Sequence, residues 1–128
     1  MVKKKFIMKE ADGWIYIINK NPDIESDRLL NEECSKEYQG VSGKYLFFST
    51  DRDRLIALAK TILQEYGLSE SKVSFGNGLK GQDLVLCIYD YKNRFANDLR
   101  KYADEDNDMK YRYWKSNKDT ILGYVQSN

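Results

Sequence analysis

The residues best suited to bind a ligand lie in segment 110–115, which reads Lys-Tyr-Arg-Tyr-Trp-Lys. Arginine and lysine bind phosphate and carboxylate groups, and an indole ring stacks on a planar base. Alternate side chains of a strand share a face. Strict alternation therefore predicts that Lys110, Arg112 and Trp114 lie together, which is typical of a site for an anionic ligand with a flat ring.

Two other predicted strands can extend this face. Trp14 and Tyr16 alternate along one of them, and Lys72 and Ser74 alternate along another. If the strands are neighbours in the right phase, their side chains form one basic and aromatic surface. The alternative is that both tryptophans pack in the core and the cations are ordinary surface residues. The predicted ligand-binding residues are Trp14, Lys72, Arg112, Trp114 and Lys115.

Several classes of catalytic and metal site are excluded by composition. The chain has no histidine, which removes Ser-His-Asp triads, Cys-His pairs and histidine-ligated metals. Its two cysteines, Cys34 and Cys87, are too few for a structural zinc site. The acidic segment 104–108 lacks the glycine and distal glutamate of an EF-hand, and the glycine-rich loop 76–81 lacks the GK[ST] ending of a Walker A loop. No catalytic residue, metal or cofactor is predicted.

Length and charge indicate one small domain. The chain has 128 residues and a formal net charge of +1, so we expect neither bulk DNA binding nor attraction to an anionic membrane. The apolar run near residue 6 is too short for a signal peptide, and no segment is long enough to span a membrane. A cytoplasmic location is expected.

Apolar periodicity and turn residues predict the elements that position the candidate site. Strands are expected over 6–8 and 14–18, joined by an Asp12-Gly13 turn. A helix over 51–66 has apolar residues at helical spacing and stops at Gly67. The remaining predicted elements are strands over 43–49, 71–75, 83–89, 110–115 and 121–125, and a second helix over 92–103.

Segment 19–42 interrupts this pattern. It is polar, contains the only proline and has no clear period, so it is predicted as a long loop or irregular insertion with a helical turn around 27–36. The order of elements predicts a single α+β domain over 1–128. Its architecture is expected to be a curved, mainly antiparallel sheet with two main helices packed on one face.

Four segments together resemble a known family. They are GKYLFF at 43–48, SKV at 71–73, VLCIYD at 85–90 and YWKSNKDTILGY at 113–124. Their order and spacing are similar to those of the basophilic-leukaemia-expressed protein family. The resemblance implies the fold of the messenger-RNA cap-binding translation initiation factor. The residues that match recurring polar positions of the family are Lys44, Lys72, Lys115, Asp119 and Thr120.

The chain also departs from that family. Tyr45 stands where the pattern usually has tryptophan. Some similar sequences are described as phosphothreonine lyases, and a lyase of that kind uses a lysine base and a histidine acid. This chain could supply the lysine but has no histidine.

The function predicted from the sequence is a small cytoplasmic binding domain for a phosphorylated or nucleotide-like ligand, bound through the basic and aromatic sheet face. One alternative is a protein-interaction or inhibitor module without a pocket. Another is a lyase-like enzyme on a phosphorylated substrate, with Lys72 or Lys115 as the base. A lysine base needs burial or a neighbouring cation to lower its pKa, so this alternative requires the cations to converge.

Overall fold

The computed structural model of the protein describes residues 5–37, 40–75 and 83–118. Its helices and strands follow in the order β1 (Phe6–Ala11), β2 (Trp14–Asn19), α1 (Ile24–Cys34), β3 (Gly43–Ser49), α2 (Arg52–Tyr66), β4 (Glu70–Ser74), β5 (Leu84–Asp90) and β6 (Lys110–Ser116). Two short 3₁₀ helices, Asp98–Tyr102 and Glu105–Asn107, lie between β5 and β6. The predicted α+β class is confirmed.

The described strands form one antiparallel sheet. Its strand order is β1-β2-β4-β5-β3-β6, and every described pairing is antiparallel. The predicted hairpin joins β1 to β2. Asp12 and Gly13 have φ angles of 54° and 82°, as a two-residue turn of this hand requires. The mainly antiparallel sheet predicted from the sequence is confirmed.

Helix α2 covers one face of the sheet. It begins after Asp51, whose side chain accepts a hydrogen bond from the Arg54 backbone N–H, and it ends at Gly67 with a φ of 67°. Its apolar stripe packs on β2, β3, β4 and β5. The side chains that are fully buried on both sides of this interface include Ile17, Tyr45, Phe47, Leu55, Ile62, Leu63, Val73, Leu86 and Ile88.

Segment 19–42 contains a regular helix, which corrects the prediction of a long loop with one helical turn. α1 has 11 residues. Asp23 caps it by accepting hydrogen bonds from the Ser26 backbone N–H and hydroxyl, each at 2.9 Å. Pro22 precedes the cap, where it interrupts no helical hydrogen bond. α1 buries only Ser26 and Leu30, so its sequence is mostly polar and has no apolar stripe from which a helix could be predicted.

α1 packs against strand β5. Near its N-terminus the Ser26 hydroxyl accepts a 3.1 Å hydrogen bond from the Arg94 guanidinium. Further along, Leu30 and Cys34 line a cavity on the sheet face opposite α2. The two helices that the structure describes therefore contact different parts of the sheet.

The second predicted helix, over 92–103, is replaced by an irregular segment followed by the 3₁₀ helix Asp98–Tyr102. The backbone N–H groups of Arg94 and Phe95 donate hydrogen bonds, each of 3.0 Å, to the buried Tyr45 hydroxyl. These N–H groups lie in the first turn of the predicted helix, where an α-helix offers them no partner of its own. The helical structure that forms is a 3₁₀ helix that begins only at Asp98.

Strand β6 does not alternate strictly, which corrects the first site prediction. Tyr45 pairs with Trp114, but Phe47 pairs with Tyr111, so β6 carries one residue more than β3 between these pairs. This β-bulge turns Trp114 towards the helix side of the sheet, where its ring centroid lies 4.8 Å from that of Tyr45. The prediction that Trp114 shares a face with Arg112 is therefore wrong.

The predicted strand 121–125, together with Asp119 and Thr120, lies outside the described residues. Of the helices that the structure describes, none is both long enough and apolar enough to cross a membrane.

Candidate functional site

The sheet face opposite α2 collects the polar and aromatic strand residues. Along β2 and β4, buried side chains beneath α2 alternate with half-buried side chains on the opposite side. We call this opposite side the lysine face. Its described members are Ile7, Lys9 and Ala11 on β1, Trp14, Tyr16 and Ile18 on β2, Lys44, Leu46 and Phe48 on β3, Glu70, Lys72 and Ser74 on β4, Val85, Cys87 and Tyr89 on β5, and Lys110, Arg112 and Lys115 on β6.

Three lysines of the lysine face lie on strands β4, β3 and β6. Lys44 and Lys115 are direct cross-strand partners on β3 and β6. Lys72 is the cross-strand partner of Cys87 on β5, which in turn pairs with Leu46. Like charges placed directly opposite one another destabilise a sheet. We call Lys44, Lys72 and Lys115 the lysine cluster.

The lysine cluster forms no close ion pair with the carboxylates that the structure describes. None of its ammonium groups forms an ion pair with a described carboxylate, whereas Lys110 on the same face pairs with Asp83 at 2.9 Å. The Lys72 ammonium instead lies 4.0 Å from the ring centroid of Trp14 and 5.9 Å from that of Tyr89. Aromatic rings attract cations but carry no negative charge.

Burial and repulsion alter the ionisation of Lys44. Burial lowers its pKa, the charges of Lys72 and Lys115 lower it further, and Cys87 acts in the opposite direction. Burial raises the pKa of the Cys87 thiol, which is only 4% exposed, so the thiol stays protonated and shielded. These shifts favour a neutral amine at Lys44 and a protonated thiol at Cys87.

A cavity of about 360 Å³ opens between the lysine face and α1. Its lining residues are Tyr16, Leu30, Asn31, Cys34, Glu70, Tyr89 and Asn117. Tyr89 is the cross-strand partner of Lys44, so the cavity adjoins the lysine cluster. Burial raises the pKa of Glu70, and the charge of Lys72 opposes that effect. The cavity thus offers aromatic, amide and carboxyl groups beside a cationic patch.

Three of the predicted site residues come together. Lys72 and Lys115 belong to the lysine cluster, and Trp14 contacts the Lys72 ammonium. Arg112 remains on the lysine face but lies at its edge, exposed, with its guanidinium carbon 5.5 Å from the Phe48 ring centroid. Trp114 packs on the opposite side against the core and has no place in this arrangement.

Residue patterns in the sequence do not place Lys44 in the site, and only the family resemblance includes it. A signal is present, because Lys44 alternates with Tyr45 and Phe47 along a strand whose apolar residues form the core. Glu70, Tyr89 and the α1 residues of the cavity have no such signal, because their proximity depends on a helix in a segment whose composition is typical of a loop.

Comparison with known proteins adds no further constraint. No family model, curated protein or solved structure matches this chain. The resemblance to the basophilic-leukaemia-expressed protein family, and the cap-binding-factor fold that it implies, stay predictions.

Proposed function

We propose that the protein is a binding domain for a phosphorylated or nucleotide-like ligand whose anionic group lies against the lysine cluster. One observation carries this proposal: Lys44, Lys72 and Lys115 converge on one sheet face without an ion pair to any described carboxylate. Cross-strand repulsion between Lys44 and Lys115 costs stability in the empty protein. An anion between the ammonium groups removes that repulsion and gains charge-assisted hydrogen bonds.

The cavity beside Tyr89 supports a position for the rest of the ligand. Tyr16 and Tyr89 offer aromatic surface, and Asn31 offers both a donor and an acceptor. A volume of about 360 Å³ suits a group of the size of a nucleobase or a small aromatic ring. Trp14 contributes from the other side by holding the Lys72 ammonium over its ring at 4.0 Å.

The proposal is tested by isothermal titration calorimetry with inorganic phosphate, adenosine monophosphate and uncharged adenosine. We expect the monophosphate to bind more tightly than inorganic phosphate, and adenosine to bind weakest. Lys72→Ala and Lys115→Ala should each weaken binding of the monophosphate by about tenfold, since a hydrogen bond to a charged group contributes about 1.5–3 kcal/mol. Added salt should weaken it further, because the partly exposed cluster is screened.

Lys60→Ala provides the matched control, because Lys60 lies on α2, which covers the other face of the sheet. It should leave the affinity unchanged. Equal affinities in Lys72→Ala, Lys115→Ala and Lys60→Ala would contradict the proposed site. Absence of binding heat for all three ligands would contradict the proposed function and favour the alternative of a protein-interaction module without a pocket.

A further inference from the structure

Lys44 lies on an interior strand of the sheet and has another lysine as a direct cross-strand partner. It lies on β3, between β5 and β6, and its cross-strand partners are Tyr89 and Lys115. Its side chain is half-buried and faces the same side as the cavity beside Tyr89. Lys115, in contrast, lies on the edge strand of the described sheet.

This position favours the neutral amine. Desolvation penalises the ammonium form, and two nearby ammonium groups penalise it again, so the pKa of Lys44 is lowered. A lysine that is desolvated and flanked by another cation is the arrangement that makes an amine nucleophilic near neutral pH. Lys72 and Lys115 remain available to hold an anionic group.

We propose that Lys44 is a reactive amine that forms an imine with aldehydes or ketones carrying a phosphate or carboxylate group. This inference rests on the proposed function, since the lysine cluster would hold the anionic group. The Lys44 Nζ lone pair attacks the carbonyl carbon, the carbonyl electron pair moves to oxygen, and a proton passes from nitrogen to oxygen to give a carbinolamine. Loss of water from the carbinolamine gives the imine, so the net reaction is amine plus carbonyl compound to imine plus water.

The test uses pyridoxal 5′-phosphate as an anionic aromatic aldehyde, with borohydride reduction to make any adduct permanent. Peptide mass spectrometry then measures the rate of labelling at each lysine near neutral pH. We expect Lys44 to be labelled several-fold faster than exposed Lys92, because its amine is neutral more often and the lysine cluster would hold the phosphate group beside it. Pyridoxal, which lacks the phosphate, should still label Lys44 faster than Lys92, but by a smaller factor than pyridoxal 5′-phosphate does.

The variants separate reactivity from anion binding. Lys44→Arg keeps a positive charge but cannot form an imine, so it should abolish the fast-labelled site and still bind inorganic phosphate in calorimetry. Lys115→Ala should slow labelling of Lys44 by pyridoxal 5′-phosphate more than by pyridoxal. Near-ultraviolet circular dichroism verifies that each variant is folded.

Three results would overturn the inference. They are equal labelling of Lys44 and Lys92, a fast-labelled site that persists in Lys44→Arg, and equal preference of Lys44 for the two aldehydes. If inorganic phosphate and the monophosphate nevertheless bind to the wild type, the proposed function stands and only the reactivity of Lys44 is refuted. If neither binds, the proposed function fails as well.

Discussion

The ionisation of Lys44 can be followed through the pH dependence of folding stability as well as through ligand binding. Its pKa is lowered by burial and by the charges of Lys72 and Lys115. The unfolded chain therefore binds more protons at this position than the folded protein, over the pH range between the lowered value and the ordinary lysine pKa. Folding stability must rise with pH across that range.

Lys44→Met is expected to stabilise the protein near neutral pH by about 0.5 kcal/mol, the size of an unfavourable cross-strand charge pair. The gain should be smaller at about pH 10. At that pH, releasing the proton of Lys44 on folding costs little free energy, so the wild type carries less of the charge repulsion. Urea unfolding at the two pH values measures both effects. Lys92→Met is the control at an exposed lysine, and an equal gain in the two variants at neutral pH would contradict the role assigned to burial and repulsion.

Tyr45 marks the limit of what residue patterns can predict. Its position in a core strand is predictable from apolar character alone. Its hydroxyl, however, donates a 2.8 Å hydrogen bond to Asp90 and accepts the backbone N–H groups of Arg94 and Phe95. Asp90 is only 1% exposed and also pairs with Arg94 at 2.9 Å. The local sequence after β5 contains no sign of this polar partner, which comes from a distant strand.

At the scale of elements, Asp108 joins the start of α2 to the start of β6. Its carboxylate accepts hydrogen bonds from the Thr50 backbone N–H at 2.8 Å, from the Thr50 hydroxyl and from the Ser49 hydroxyl at 3.1 Å. These hydrogen bonds, with that of the Thr50 side chain the largest cause, lower the pKa of Asp108. Stability from this carboxylate is fully present above the ordinary aspartate pKa and is lost as the pH falls through the lowered value.

Asp108→Ala is expected to lower the melting temperature more than Asp108→Asn. Asparagine keeps an acceptor oxygen and tolerates the φ of 65° at this position, whereas alanine loses the hydrogen bonds and strains the backbone. On acidification, the stability of the Asn variant should also fall less than that of the wild type. Melting curves at neutral and acidic pH measure this, with Asp106→Asn as a control in the same turn. Equal melting temperatures for the Ala and Asn variants would refute the argument.

Elements whose helix or strand signals lie within their own residues are predicted well. Elements whose conformation depends on contacts with distant parts of the chain are not. α2 has a cap, an apolar stripe and a terminal glycine, all within or directly beside its own residues. The bulge in β6 exists only relative to β3, so strict alternation assigns Trp114 to the lysine face. α1 is not predicted because its contacts, with β5 and Arg94, come from residues far away in the sequence. These two errors account for the misplaced Trp114 and the missing cavity.

At the scale of the whole molecule, the sheet separates the two tryptophans of the chain. Trp14 lies on the lysine face with the Lys72 ammonium 4.0 Å from its ring centroid. Trp114 packs on the side of α2 against Tyr45. Each indole therefore reports on one face, and fluorescence can establish which face receives a ligand, whatever the chemical structure of that ligand.

We expect adenosine monophosphate to change the emission of Trp14 and to leave that of Trp114 unaltered. An anion at the lysine cluster draws the Lys72 ammonium away from the indole, and the emission of an indole responds to a nearby charge. Trp114→Phe leaves Trp14 as the only reporter and should retain the titration curve, whereas Trp14→Phe should lose it. In urea, both single-tryptophan variants should change emission, because unfolding exposes either indole. A titration signal in Trp14→Phe and none in Trp114→Phe would place the ligand on the α2 side of the sheet and contradict the assignment of the binding site to the lysine face.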